Sequence, residues 1–156
     1  MLVRDFIEVP MPLDTAVAAV ADPLVWERAL HAELDPEAHT VLARFGIHGL
    51  FGSSVDPVEV RIGKTTRLPR GTIIDVQWGR SHGSGWEPVV QADATLSALG
   101  SRLAHLEFNA CSFRSASLSS SPADRIMQHR VVEYAVRLIL TRLADSLSRS
   151  GFTTAG

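Results

Sequence analysis

From Val58 to about Phe113 the sequence alternates apolar and polar residues with a period of two, in runs separated by glycine, proline and serine. This is the pattern of β-strands with two unlike faces. Taking every second residue, one face collects Val58, Val60 and Ile62; Ile74, Val76 and Trp78; Val90, Ala92, Ala94 and Leu96; and Ala104, Leu106, Phe108 and Ala110. It carries no charge. The opposite face collects Glu59 and Arg61; Asp75 and Gln77; Gln91, Asp93 and Thr95; and His105, Glu107 and Asn109. Such a division predicts an antiparallel sheet that is wet on one side and needs a cover on the other.

The cover is expected at the C-terminal end. Ser121-Pro122-Ala123-Asp124 supplies an N-cap, a proline at the first helical position and an acidic residue two positions later, and Gly151 is a natural stop. A helix of ~29 residues between them reaches roughly 43 Å, enough to cross a small domain. Val132, Val136, Ile139, Leu140, Leu143 and Leu147 recur at steps of three and four and predict one apolar stripe facing the sheet. At the other end Met1 to Val9 reads as a strand. Asp14 is the expected N-cap of a short helix over Thr15 to Ala21, and Asp22-Pro23 starts a second short helix carrying Trp26 and Leu30. Asp35-Pro36-Glu37 suits a helical turn and Thr40 to Phe45 suits a strand, and periodicity leaves both open.

With 156 residues the chain fits one domain, residues 1–150, followed by a flexible tail, 151–156. A hydrophobic share of 46% is enough to fill a core without disulfides or a structural metal. The net charge of -2 argues against a protein that neutralises phosphates, so nucleic acid is not an expected partner. Cys111 is the only cysteine, which rules out an internal disulfide and suits the cytoplasm. No signal-like apolar run opens the chain, and stretches such as Leu138-Ile139-Leu140 are too short for a membrane span.

A strand, two short helices, an antiparallel sheet and a long amphipathic helix follow one another in the order of the helix-grip fold. The residues that carry the resemblance are Phe6-Ile7-Glu8-Val9-Pro10-Met11-Pro12-Leu13-Asp14-Thr15-Ala16-Val17, then Asp22-Pro23-Leu24-Val25-Trp26-Glu27, and last Asp124-Arg125-Ile126-Met127-Gln128-His129-Arg130-Val131-Val132-Glu133. On these the chain resembles the START-like superfamily, also called SRPBCC, which includes birch-pollen-allergen-like proteins and polyketide cyclases. The terminal stretch is similar to the helix of an actinobacterial branch. The resemblance covers about residues 1 to 150 and implies an α+β fold in which a curved antiparallel sheet wraps a long C-terminal helix, with two short helices after the first strand. It further implies an apolar ligand held between sheet and helix. The Ser-rich run Ser112 to Ser121 departs from the proline-glycine turn expected before the last helix.

Local motifs add little chemistry. Gly63-Lys64-Thr65 ends like a phosphate-binding loop, but that motif needs a glycine where Val58 stands, so a strand-end turn is expected. Gly83-Ser84-Gly85 reads as a hairpin tip. His31, His39, His48, His82, His105 and His129 lack any metal-ligand spacing, and His105 with Glu107 and Asp93 falls on the solvated face. No metal and no cofactor are expected. Cys111 has no neighbouring base to activate it, and no serine sits in a nucleophile elbow.

His129 is the exception, because helical steps place it along the stripe of Val132, Glu133 and Val136. One reading makes it a boundary histidine paired with Glu133; the other points it into the cavity, where the two form an acid/base pair. Trp78, Trp86 and Phe108 suit stacking on a ring. The expected function is therefore binding of a hydrophobic or amphipathic small molecule, lipid-like or polyketide-like, by a monomer or homodimer. The expected lining is Val60, Ile62, Ile74, Val76, Trp78, Val90, Ala92, Leu96, Leu106, Phe108, His129, Val132, Glu133, Val136 and Leu140. The alternative is a polyketide cyclase or aromatase using His129 and Glu133. A third possibility is a protein-interaction patch made by Ile47, Leu50 and Phe51 in the glycine-punctuated loop of Gly46, Gly49 and Gly52.

Overall fold

A computed structural model describes residues 2–30, 33–35, 40–43, 58–82, 85–112 and 121–151. The chain runs β1 (Leu2–Val9), α1 (Leu13–Ala21), α2 (Pro23–Leu30), β2 (Glu33–Asp35), β3 (Thr40–Ala43), β4 (Val58–Leu68), β5 (Gly71–His82), β6 (Gly85–Gly100), β7 (Leu103–Ser112) and α3 (Pro122–Gly151). All seven strands form one antiparallel sheet in the order β1-β7-β6-β5-β4-β3-β2. The α+β helix-grip order is as expected; in the open segment Thr40–Ala43 is a strand, while the expected helical turn at Asp35-Pro36-Glu37 lies largely outside the described residues. The apolar loop around Leu50 and most of the Ser-rich run lie outside the described residues.

Alternation in the sequence becomes two faces in space. Val60, Ile74, Val76, Val90, Ala94, Leu96, Leu106 and Phe108 are all at 0% exposure on the inner face, while Asp93 is exposed and Asp75, Gln77, Gln91 and Glu107 are half-buried on the outer one. The cover is shared among three helices, not supplied by α3 alone. α3 packs along β1 and against α2, α1 lies over β5, β6 and β7, and α2 reaches β2 and β3. The stripe that α3 buries is Val132, Ala135, Val136, Ile139, Leu140, Leu143 and Leu147. Arg137 on its flank reaches Asp5 of β1, with Nε 3.2 Å from Oδ2.

Two corrections concern the short elements. Pro12, not Asp14, stands at the N-cap of α1 with no side-chain cap bond, and Asp14 lies inside the first turn, where its charge still favours the helix dipole. Asp22 behaves as expected: its Oδ1 accepts from Leu24 N–H at 2.9 Å, while its own N–H bonds Ala19 O and closes α1. Likewise Gly63-Lys64-Thr65 is not the end of a strand. β4 continues through a register shift between Ile62 and Thr65, where Gly63 approaches β5 so closely that an added Cβ would stand 3.1 Å from Asp75 Cβ.

Gly71 closes the hairpin between β4 and β5, pairing with Leu68, and a Cβ there would run into the Leu96 carbonyl oxygen of β6. That neighbour is backbone and cannot swing aside. Gly100, at the turn between β6 and β7, has nothing within 4 Å of the same position. Urea denaturation is expected to show Gly71→Ala destabilised by about 2 kcal/mol or more and Gly100→Ala within about 0.5 kcal/mol of the parent.

Candidate functional site

The inner face and its covering helices form the candidate site, and its organising side chain is one the sequence motifs did not single out. Trp26 of α2 is at 0% exposure and its indole Nε1 donates to the Val20 carbonyl at the end of α1 at 2.8 Å. That carbonyl is one of the last of its helix and has no partner within it. The same indole stands edge-on to Phe108 of β7, ring centroids 6.1 Å apart at 73°. One side chain thus ties two helices to the sheet. The signal available was the large apolar residue in a short capped helix, but nothing in its spacing said what it would meet.

Of the residues expected to line a cavity, the strand residues Val60, Ile74, Val76, Trp78, Val90, Ala92, Leu96, Leu106 and Phe108 all point inward at 0–1% exposure. Ile62 is half-buried at the β4 irregularity. Val132, Val136 and Leu140 of α3 are at 1%. At such values no water-sized void touches these side chains, so they stand as a closed apolar interior. Phe108 meets Trp26 edge to face, which sets its ring against protein.

Three positions differ from the expectation. Glu133 is exposed. At 100° per residue it falls about 90° from the centre of the buried stripe, whereas His129 falls about 50° from it, so the helix carries the two to different surroundings. No ion pair joins them among the described residues, and neither the acid/base pair nor the simple surface pair is formed. Trp86 is the third. Trp78 opposes Val90 and Gly79 opposes Pro88, so Val89 is left over and the alternation slips by one. Trp86 thereby joins the outer face, where the Arg61 guanidinium lies 4.0 Å from its ring centroid and bonds Glu59 Oε1 at 2.8 Å.

Two inner polar atoms stand out. Trp78 Nε1 and His129 Nδ1 are shut from solvent with no hydrogen-bond partner among the described residues. Such a group costs about 1 to 3 kcal/mol when left unmade. On the outer face Trp86 Nε1 is likewise without a hydrogen-bond partner among the described residues, while Glu107 gathers a polar network. Glu107 Oε2 takes Arg4 Nη2 at 2.7 Å, its Oε1 takes Asn109 Nδ2 at 2.8 Å, and His105 Nε2 stands 3.7 Å away. The His105 ring lies against Phe6, centroids 5.0 Å apart. No group of three metal-ligating side chains occurs among the described residues.

Replacing Trp26 by Phe keeps the edge contact but strands the Val20 carbonyl, and calorimetry is expected to show a loss of about 1 to 3 kcal/mol. The outer network sets a pH dependence. The hydrogen bond from Arg4, helped by Asn109, Arg4's charge and His105, holds the Glu107 carboxyl below its ordinary value against a desolvation that raises it. A depressed carboxylate stabilises the fold above its unfolded pKa of about 4.3, and that contribution disappears as pH falls through the lower folded value. Melting curves of the parent should therefore fall more steeply with acidification below about pH 5 than those of Glu107→Gln, the two converging at the acid end. Parallel curves would remove Glu107 from the acid transition.

No protein-family model matches the sequence, and no curated protein matches it. Solved structures do match in fold. A conserved protein from Geobacillus kaustophilus superposes with TM-score 0.64 at 13% identity, over 96% of this chain and 97% of that one. The Zhui aromatase/cyclase from a Streptomyces gives TM-score 0.54 at 14% identity over 100% and 98%. A START superfamily protein from Mycobacterium smegmatis gives 0.52 at 9% identity over 92% and 97%. With a curved sheet of this order around a long last helix, the chain has the START-like, helix-grip fold.

Proposed function

We propose that the protein binds a hydrophobic or amphipathic small molecule between the inner face of the sheet and α3, and that a polar group of this ligand meets Trp78 or His129. The observation that carries the reading is the pair of partnerless, solvent-shielded nitrogens, Trp78 Nε1 in the apolar interior and Nδ1 of the half-buried His129 on α3. Indole N–H can only donate, so its complement is an oxygen acceptor such as a carbonyl, hydroxyl or carboxylate. An imidazole nitrogen accepts or donates according to tautomer. Because the surrounding side chains are closed, the ligand enters by parting the helices from the sheet, and its apolar body replaces contacts that the empty protein makes with itself.

Binding is favoured over catalysis. A START-like neighbour is an aromatase/cyclase, but an acid/base mechanism here needs a second group beside His129, and Glu133 is exposed. The single exposed cysteine, Cys111, suits a reducing cytoplasm.

A fluorescent naphthalene sulfonate, apolar with one oxyanion, tests the reading by thermal shift and direct titration. Trp78→Phe and His129→Leu are each expected to leave the fold intact and to weaken the probe about tenfold, a change of about 1.4 kcal/mol. A ligand at one hundred times its dissociation constant adds about 2.7 kcal/mol of apparent stability, so the assay has the range. Equal affinity in the parent and both variants would sink the proposal.

A further inference from the structure

The end of the sheet that carries the β4–β5 and β6–β7 turns has a character unlike the rest of the surface. Residues 63 to 70 are exposed throughout, and so are residues 98 to 102. The first tip presents Lys64, Arg67, Leu68 and Arg70, the second Leu99 and Arg102. Neither stretch, Gly63 to Gly71 or Ala98 to Leu103, contains a carboxylate, although the chain as a whole has net charge -2. Leu68 and Leu99 are exposed at 45% and 52%. The tips project from one end, since Thr72 opposes Leu96 and Gly71 abuts the Leu96 carbonyl. Acidic residues near this end include Glu8, opposite His105, Asp14 in the first turn of α1, and Asp75, which lies against Gly63.

Single exposed leucines need no explanation on a soluble surface. Two of them at the apices of adjacent hairpins, each flanked by cations and by no anion, make a different pattern. Neither turn segment carries a carboxylate, Asp75 of β5 lying beside Gly63 further down the hairpin, so an anionic partner complements the four cations. The leucines need a partner that is apolar just beneath its charge. A bilayer of anionic lipid meets both demands at one depth, with headgroups at the arginines and the acyl boundary at the leucines. A nucleic acid or an acidic peptide meets the first alone.

We infer that this end docks onto anionic membrane surfaces, with Leu68 and Leu99 as anchors and Lys64, Arg67, Arg70 and Arg102 as the electrostatic contact. The inference is independent of the small-molecule reading, because it uses neither Trp78 nor His129. The test is flotation of the purified protein with vesicles of phosphatidylcholine alone or mixed with phosphatidylserine, at low and high salt. The parent should float with the mixed vesicles at low salt, lose them at high salt and ignore neutral ones. Leu68→Asp/Leu99→Asp and Arg67→Glu/Arg102→Glu should each reduce partitioning about tenfold or more while keeping the parent's circular dichroism and melting curve. Because all four positions are exposed, both variants are expected to fold. A parent that fails to float with phosphatidylserine vesicles would overturn the proposal. So would loss on charge reversal with no loss in the leucine variant, since that result describes a polyanion site without insertion.

Discussion

Among the side chains that are described, none that is charged points inward from Val60 to Ala110, and that face has to be kept from water. Each of its valines, leucines and isoleucines, and Phe108, contributes about 1.5 to 3 kcal/mol by leaving water. A domain's net stability is only about 5 to 15 kcal/mol, so failure to cover even part of this face would forfeit the fold. The helices answer by dividing the work: α3 along β1, α1 across β5 to β7, and α2 toward the short strands. Trp26 is the point at which α1 and α2 meet the sheet, since its ring touches Phe108 and its N–H holds the end of α1. The polar clasp of Asp5 and Arg137 lies at the rim, where exposure makes it a guide to position more than a source of stability.

How far the sequence could be read follows from which interactions are local. Period-two alternation sorted the inner residues correctly because every strand neighbour imposes the same two-sided environment. Asp22-Pro23 and Ser121-Pro122 marked helix starts because capping acts within one turn. What escaped reading depends on partners distant in the chain. The register shift at Gly63 answers Asp75 of the next strand, and the slip at Val89 answers Gly79. That second slip alone moves Trp86 from an expected ring-stacking position to the Arg61 side of the sheet. Glu133 shows the limit on a helix: a four-residue step drifts by about 40°, small enough to look like one face and large enough to pass from interior to solvent. Trp26 was visible as a large residue, but only the fold says that it faces Val20 and Phe108.

A closed apolar interior that still contains two partnerless nitrogens is a compromise between stability and use. Phenylalanine at position 78 and leucine at position 129 would satisfy the packing with no stranded polar atom. Retaining indole and imidazole there makes sense where something brought from outside completes their hydrogen bonds. Under the proposed binding, closure would couple occupancy to the way the helices sit on the sheet and not only to local side-chain motion.

The pairing of β1 with β7 has a consequence for how the chain is made. Leu2 opposes Cys111, Val9 opposes Ala104, and among the described strands β1 pairs with β7 alone. A ribosome adding roughly 5 to 20 residues per second therefore releases β1 several seconds or more before its partner exists. Through that interval Val3, Ile7 and Val9 have no sheet to join, and the hairpins β4–β5 and β5–β6 form ahead of them. β1, synthesised long before β7, is thus among the last strands to be placed, which puts the slowest loop closure at the end of folding and exposes the β7 edge while it waits.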